Sequence, residues 1–227
     1  MNILALDTSS TSGSIALSKN DRIVYVSYLD IRKTHSERLM VQVKEALEQN
    51  KMNIDDLDLI CLANGPGSFT GIRIGLATAK GLSYGKQIPL LALNNLELIA
   101  SNIYGNQRPI LSFVDAKMGE VYTALYSAEL EELISPRNCK PAEMLELIDQ
   151  PVTVIGTGVN VFKQNLDESG IDYLEVLPHQ SINLATACIS LATRLEDYPT
   201  YNFEAIAELE PFYLRKSQAE INKEKGE

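Results

Sequence analysis

Asp7, Thr8 and Ser9 stand together directly after an apolar run, Ile3 to Leu6. A carboxylate at a strand end, with hydroxyls beside it, can orient metal-bound water or a phosphate. The same triplet can be a turn whose aspartate accepts local backbone N–H bonds. A second candidate is the stretch Asn64-Gly65-Pro66-Gly67-Ser68-Phe69-Thr70-Gly71-Ile72-Arg73-Ile74-Gly75, which follows the apolar run Leu57 to Ala63. A strand, a Gly-rich turn and a helix start gather free backbone N–H groups in one place. Phosphate, or another backbone, can approach closely there. Gly65 and Gly67 therefore join Asp7, Thr8 and Ser9 as candidates for a phosphate- or nucleotide-proximal site. The stretch is not the Walker pattern, because no Lys-Ser/Thr pair follows its last glycine. Nor does its spacing match the dinucleotide fingerprint. Gly65, Gly67 and Gly71 can instead serve only a tight turn of unusual backbone angles, since no Lys or hydroxyl–metal pair accompanies them.

No catalytic residue is assigned. His35 with Glu37 could be read as a pair, although a histidine at a helix start is more often solvated or capping. Glu97, Asp115 and Glu120 could pair as carboxylates, and no serine or cysteine nucleophile motif stands out. The two histidines, His35 and His179, and three dispersed cysteines, Cys61, Cys139 and Cys188, argue against a Cys/His zinc cluster. Cys61 and Cys188 lie in apolar runs and read as buried small hydrophobes. No metal ligands are predicted.

The 227 residues are 45% hydrophobic and 22% charged, ordinary for a globular protein, with a formal net charge of −10. That charge argues against a free-standing nucleic-acid binder, which normally shows a basic footprint. In a nucleic-acid pathway a basic partner would supply the contacts. Asp7 interrupts the first apolar run and no basic region precedes it, so no signal peptide is expected. No apolar stretch approaches the roughly 20 residues that span a bilayer. The expected location is cytoplasmic and reducing.

These residues need elements to position them. Residues 2–6, 14–18 and 22–29 read as an antiparallel meander, with a turn at Lys19-Asn20-Asp21. A helix is expected over 36–49, with Ser36 as N-cap and Leu39, Met40, Val43, Ala46 and Leu47 at helical spacing. Then come a strand at 57–63, a helix at 71–84, a strand at 88–93 and a helix from Asn95 to Asn102. The second half restarts the plan. Ile110 to Asp115 echoes Ile3 to Asp7, and Val121 to Tyr126 echoes Ser14 to Ser18. Helices at 141–149, 160–167 and 181–195 and a strand at 152–155 follow. The repeat predicts two related α/β lobes, residues 1–102 and 103–215, with a solvated, charged tail at 216–227.

The helix at 71–84 carries only Arg73 and Lys80 as charges, seven apart and so on one stripe. A helix apolar nearly all round is buried on more than one side. Gly71, Gly75 and Ala79, four apart, would let a second cover approach closely. The helix at 36–49 or a partner chain could be that cover. A partner interface is therefore expected at Leu39, Met40, Val43, Leu47, Ile72, Arg73, Gly75, Leu76 and Ala79.

The segments LALDTSS, NGPGSFTGIRIGLATAKGLSYG, DAKMGEVYTALY and PFYLR resemble the bacterial tRNA threonylcarbamoyladenosine biosynthesis protein B family (TsaB, formerly YeaZ) over nearly the whole chain. The resemblance implies two tandem lobes of the actin/hexokinase/Hsp70-like (ASKHA, ribonuclease H-like) class. It implies a non-catalytic paralogue of the glycoprotease-like catalytic subunit, TsaD. Asn95 and Ile99 stand where that subunit has metal-binding histidines, and Gly156-Thr157-Gly158-Val159-Asn160 looks like a remnant of its nucleotide-lobe glycine turn. The implied role is an accessory subunit that binds and activates the catalytic subunit through first-lobe helices. The complex would transfer threonylcarbamoyl to the tRNA adenosine beside the anticodon. ATP and a divalent metal would belong to partner subunits, a TsaD-like transferase and a TsaE-like ATPase. This chain would meet tRNA only through the complex, and could form a homodimer through the same helices. One alternative is an ATP-binding enzyme with its own phosphoryl- or acyl-transfer activity, using Asp7 and Asp115 around a metal nucleotide. A glycoprotease-like peptidase is a second.

Overall fold

Ile3–Asp7 forms the central strand β1 of a first five-stranded sheet. The computed structural model describes residues 1–30, 35–182 and 185–215; the side chain of His35 and the charged tail at 216–227 lie outside what it describes. After β1 come β2 (Gly13–Lys19), β3 (Arg22–Leu29), α1 (His35–Gln49), β4 (Leu59–Ala63), α2 (Phe69–Lys86), β5 (Leu90–Leu93) and α3 (Asn95–Ser101). The sheet order is β3-β2-β1-β4-β5. β1 to β3 pair antiparallel, while β4 and β5 join parallel. The β2–β3 turn places Asn20 and Asp21 at positive φ (52° and 62°), which their short polar side chains tolerate. β1 and β4 are buried along their whole length, and so read as nearly unbroken apolar runs.

α1 and α2 cover one face of this sheet. Leu39, Val43, Ala46 and Leu47 of α1 and Leu76 and Ala79 of α2 pack on Leu4, Leu6, Ile15, Leu17, Ile60 and Leu62. Fully burying each Leu or Ile is worth about 1.5–3 kcal/mol, so this face fixes both helices.

The second unit repeats the plan with β6 (Ile110–Lys117), β7 (Glu120–Tyr126), β8 (Glu132–Cys139), α4 (Pro141–Leu145), β9 (Val152–Ile155), α5 (Gly158–Val161), α6 (Lys163–Glu168) and β10 (Tyr173–Glu175). Its sheet runs β8-β7-β6-β9-β10, with β6–β7–β8 antiparallel and β9 and β10 parallel. Strand for strand, this is the first sheet again. The duplicated topology is that of the two-lobed actin/hexokinase/Hsp70-like fold, as expected.

The two units are not contiguous in sequence. α7 (Ala185–Ala192) packs on β1, β2 and β4, and α8 (Phe203–Glu208) packs beside α2. The first unit is thus Met1–Leu98 with Asn183–Phe212, and the second is Ile99–Ile182 with the stretch beginning at Tyr213. The expected division into 1–102 and 103–215 is corrected accordingly. The first sheet needs a cover on its second face, and the chain supplies it from the far end. α1 begins at His35, so Ser36 lies inside the helix rather than capping it. The helices expected over 141–149 and 181–195 are shorter, at Pro141–Leu145 and Ala185–Ala192. The one expected over 160–167 breaks at Phe162 (φ −114°) into α5 and α6.

Candidate functional site

Asp7 closes β1, opposite Ser14 in the antiparallel register, and is only 1% exposed. Its Oδ1 accepts the Ser9 backbone N–H at 2.9 Å and the Ser9 hydroxyl at 2.6 Å. Burial pushes its pKa up to about 6, and the two Ser9 hydrogen bonds pull partly the other way. The turn reading of this triplet therefore holds for that carboxylate oxygen.

Thr8 has a different task. Its hydroxyl donates to the Gly71 carbonyl at 2.8 Å. A Cβ on Gly71 would stand 2.0 Å from the Thr8 carbonyl oxygen, and one on Gly75 would stand 2.3 Å from Thr8 Oγ1 and 3.0 Å from Leu62. A Cβ on Gly67 would meet the Ser9 carbonyl oxygen at 2.2 Å, and Ser68 N–H donates to that same oxygen at 2.8 Å. Gly65, at φ 107°, lies against the Phe212 carbonyl, 2.6 Å from where its Cβ would be. Gly65, Gly67 and Gly71 are accounted for by close approach to another backbone, and Gly75 by the Thr8 and Leu62 side chains, all within the first unit. A phosphate is not needed to explain these close approaches.

The second unit repeats the device. Gly156 (φ 120°) and Gly158 both close on the Phe113 carbonyl, at 2.6 and 2.7 Å from a would-be Cβ. Asp115 donates its N–H to Thr157 Oγ1 at 3.2 Å, while its carboxylate accepts Lys117 N–H at 2.8 Å and pairs with Lys117 Nζ at 2.5 Å. Glu120 accepts from Asn138 Nδ2 at 2.8 Å and pairs with Arg215 at 3.3 Å. The Asn138 bond, aided by Arg215, holds the Glu120 carboxyl below its usual range. Asp115 and Glu120 thus have separate cationic partners rather than one another. Among the described residues, no three His, Cys, Asp or Glu side chains gather as a metal site.

Asn95 is the clasp of the glycine loop. Its backbone N–H donates to Gly65 O at 2.7 Å and its Nδ2 donates to Pro66 O at 3.0 Å. Asn64 extends the clasp, with Nδ2 donating to Glu210 O at 2.8 Å and its carbonyl accepting Phe212 N–H at 2.9 Å. Ile99 is buried. Sequence reading placed Asn95 only as a missing ligand. Asn95 stands two residues beyond β5, which runs parallel to β4, and no local pattern in the sequence marked its clasping role.

The interface expectation is largely corrected. Leu39, Val43, Leu47, Ile72, Gly75, Leu76 and Ala79 are all buried; Leu39, Val43, Leu47, Leu76 and Ala79 join the core with the sheet, and Gly75 lies against Thr8 and Leu62. Only Met40, 49% exposed, and Arg73 reach the surface. The face of α2 turned outward carries Thr70, Arg73, Ala77, Gly81 and Gly85, all exposed, with Val41 of α1 also exposed. Ala77, Gly81 and Gly85 recur every four residues like Gly71, Gly75 and Ala79. Periodicity revealed the Gly71, Gly75 and Ala79 stripe, but it could not say that this stripe faces the sheet rather than a second cover. Lys80 donates to Ala207 O at 2.8 Å, and the Tyr84 ring lies 5.0 Å from that of Phe203, so α8 flanks this outer face.

The family model for TsaD, tRNA N6-adenosine threonylcarbamoyltransferase, matches residues 30–223. The tRNA threonylcarbamoyladenosine biosynthesis protein TsaB of Bacillus subtilis is 38% identical over 176 residues, which are 74% of this chain and 76% of that protein. The TsaB protein of Escherichia coli K12 is 30% identical over 230 residues, 96% of each. The chain belongs to the TsaB family. A solved structure of YeaZ from Pseudomonas aeruginosa matches this TsaB-family chain with a TM-score of 0.77 at 28% identity, over 94% of this chain and 99% of that one. The duplicated sheet is therefore shared with a solved YeaZ protein. Among the described residues, no helix of this TsaB-family chain is long and apolar enough to cross a membrane.

Proposed function

We propose that this chain serves tRNA threonylcarbamoyladenosine biosynthesis as a non-catalytic subunit that binds and activates a TsaD-like transferase. The observation that carries this reading is Asn95. It occupies the position where the resemblance places a metal-binding histidine, and its amide is already engaged with Pro66 O. Asn is a poor metal ligand, and the buried Ile99 at the second such position has no ligating atom. ATP and a divalent metal then belong to the transferase and to a TsaE-like ATPase. tRNA meets this chain only through the assembly, in keeping with its net charge of −10.

The surface offered to the transferase is the outer face of α1 and α2, around Met40, Val41, Arg73, Ala77 and Gly81. Small side chains there let another helix come close, and Met40 and Val41 supply apolar area. Activation would consist of favouring one arrangement of the transferase over others.

Reconstitution tests the reading. Purified transferase, ATPase, tRNA and threonylcarbamoyl-adenylate are assayed with and without this chain, and modified adenosine is counted by mass spectrometry. Turnover should require the transferase and rise on adding this chain. Modification by this chain alone, or no change on its addition, would overturn the proposal.

A further inference from the structure

α8 runs along the C-terminal half of α2 in the opposite direction. The Phe203 ring lies 5.0 Å from that of Tyr84, and one turn further on Ala207 O accepts from Lys80 Nζ at 2.8 Å. Phe203 nevertheless stays 58% exposed. Beside this contact α2 presents Ala77, Gly81 and Gly85, all exposed, and a Cβ on Gly81 or Gly85 would meet nothing within 4 Å. The outcome is an open apolar trough, with Phe203 and Tyr84 as one wall and small residues as its floor. An aromatic ring held at the surface beside such a floor is the kind of anchor that a partner's side chain covers.

The rim of this wall identifies the occupant. A helix turns about 100° per residue. Ile206 of α8 is buried in the core, and Phe203 and Ala207 meet α2. Glu204 and Glu208 come next around the helix, on the solvent side of the stripe that meets α2, and both are exposed. They stand four residues apart, so their like charges repel. Among the described residues neither pairs with a cation, and the ammonium of Lys80 is engaged with a backbone carbonyl.

The free chain thus carries an unrelieved repulsion along the edge of an apolar trough, and two cations from outside would relieve it. Carboxylates repel nucleic acid and anionic membranes, so the occupant is a protein segment. A helix fits, because residues four apart on it rise about 6 Å, the spacing of Glu204 and Glu208, and a glycine floor admits its backbone.

We propose that the transferase segment seated on α2 is a basic helix. Two of its cations, one turn apart, engage Glu204 and Glu208, while an apolar side chain beside them covers Phe203 and Tyr84. α8 thereby sets which helix is accepted. This inference rests on the transferase contact proposed above for the outer face of α1 and α2, and adds to it the chemistry of the partner.

Titration calorimetry of the full chain against purified transferase, at low and high salt, tests it. Glu204→Lys/Glu208→Lys should weaken binding about a hundredfold, and Glu204→Gln/Glu208→Gln about tenfold with a flatter salt dependence. Phe203→Ala should also weaken it about tenfold. Glu143→Lys/Glu146→Lys on α4 makes the same change in net charge at exposed positions of the second unit, and should bind as the wild type does. Without transferase, Glu208→Lys turns a repelling pair into an attracting one and should melt no lower than the wild type. A lower melting temperature would show that Glu208 is bonded in the free chain and would overturn the proposal. So would an equal loss of binding in the α4 control. If Met40→Glu weakens binding while the α8 lysine variant does not, the α8 wall is wrong and the contact on α1 and α2 stands. If neither weakens it, that contact itself is wrong and this inference falls with it.

Discussion

The hydroxyl of Thr8 donates to the carbonyl of Gly71 at 2.8 Å, binding the end of β1 to the first turn of α2. Gly71 and Gly75 of α2, and Gly67 just ahead of it, make this approach possible. Gly71 and Gly75 leave room for the backbone and side chain of Thr8, and Gly67 leaves room for the Ser9 carbonyl. The glycine motif forms a seam between a strand end and a helix.

The seam predicts opposite outcomes for glycines of one helix. Gly71→Ala forces a methyl to 2.0 Å from a backbone oxygen, and Gly75→Ala forces one to 2.3 Å from Thr8 Oγ1. Gly71→Ala should cost about 3 kcal/mol or more, because backbone cannot swing aside as a flexible side chain can. Gly81→Ala has open space around its Cβ and should gain about 0.5–1 kcal/mol of stability. Urea unfolding checks both, and equal effects at Gly71 and Gly81 would contradict the seam.

Asp7 makes stability depend on pH. Its folded pKa, pushed up to about 6 by burial, lies above the ordinary aspartate value near 4. The folded chain therefore holds the proton more tightly than the unfolded chain does. This contribution to stability is full below about pH 4 and is lost as pH rises through about 6. Asp7→Asn retains an acceptor for Ser9 without the charge. It should exceed the wild type by roughly 3 kcal/mol at pH 8, with the gap closing towards pH 4. A gap that stays constant with pH would show that the carboxyl is not buried as described.

Asn95 should matter for stability. Asn95→Ala removes the donor to Pro66 O in a buried setting and should cost about 1–3 kcal/mol in chemical denaturation. A neutral substitution would mean that the glycine loop holds its shape without the clasp.

Binding and folding should separate on α1 and α2. Met40→Glu and Ala77→Glu alter exposed positions and should leave the melting temperature within a few degrees while abolishing capture of the transferase. Leu39→Glu and Leu76→Glu place a carboxylate in the core of the first unit and should unfold it. Calorimetry with a transferase pull-down decides. If the exposed variants bind at wild-type affinity, the outer face is not the contact.

Much of the fold was legible because it rests on local patterns. The buried runs of β1 and β4, the Asn20-Asp21 turn and the helical spacing on α1 each announce their own conformation. Others were silent. β8 carries Pro136 and several polar residues, which an edge strand tolerates because its outer N–H positions need no partner. β10 has three residues and α8 six, too few for a period to show, although Asn202, which caps α8 by accepting Ala205 N–H at 3.0 Å, was a usable signal.

By itself the sequence determined the duplicated strand–Asp–turn–strand plan, the glycine spacing of α2 and the helical stripes, since these depend only on neighbours a few residues away. Tertiary structure alone decided which of two small-residue stripes meets β1, and that the chain returns at Ala185 to cover the first sheet. It also set Asn95 against Pro66 and Arg215 against Glu120. Those outcomes join residues from 29 to 95 positions apart or more, and no local period encodes which surface will be nearest once the apolar faces have collapsed together.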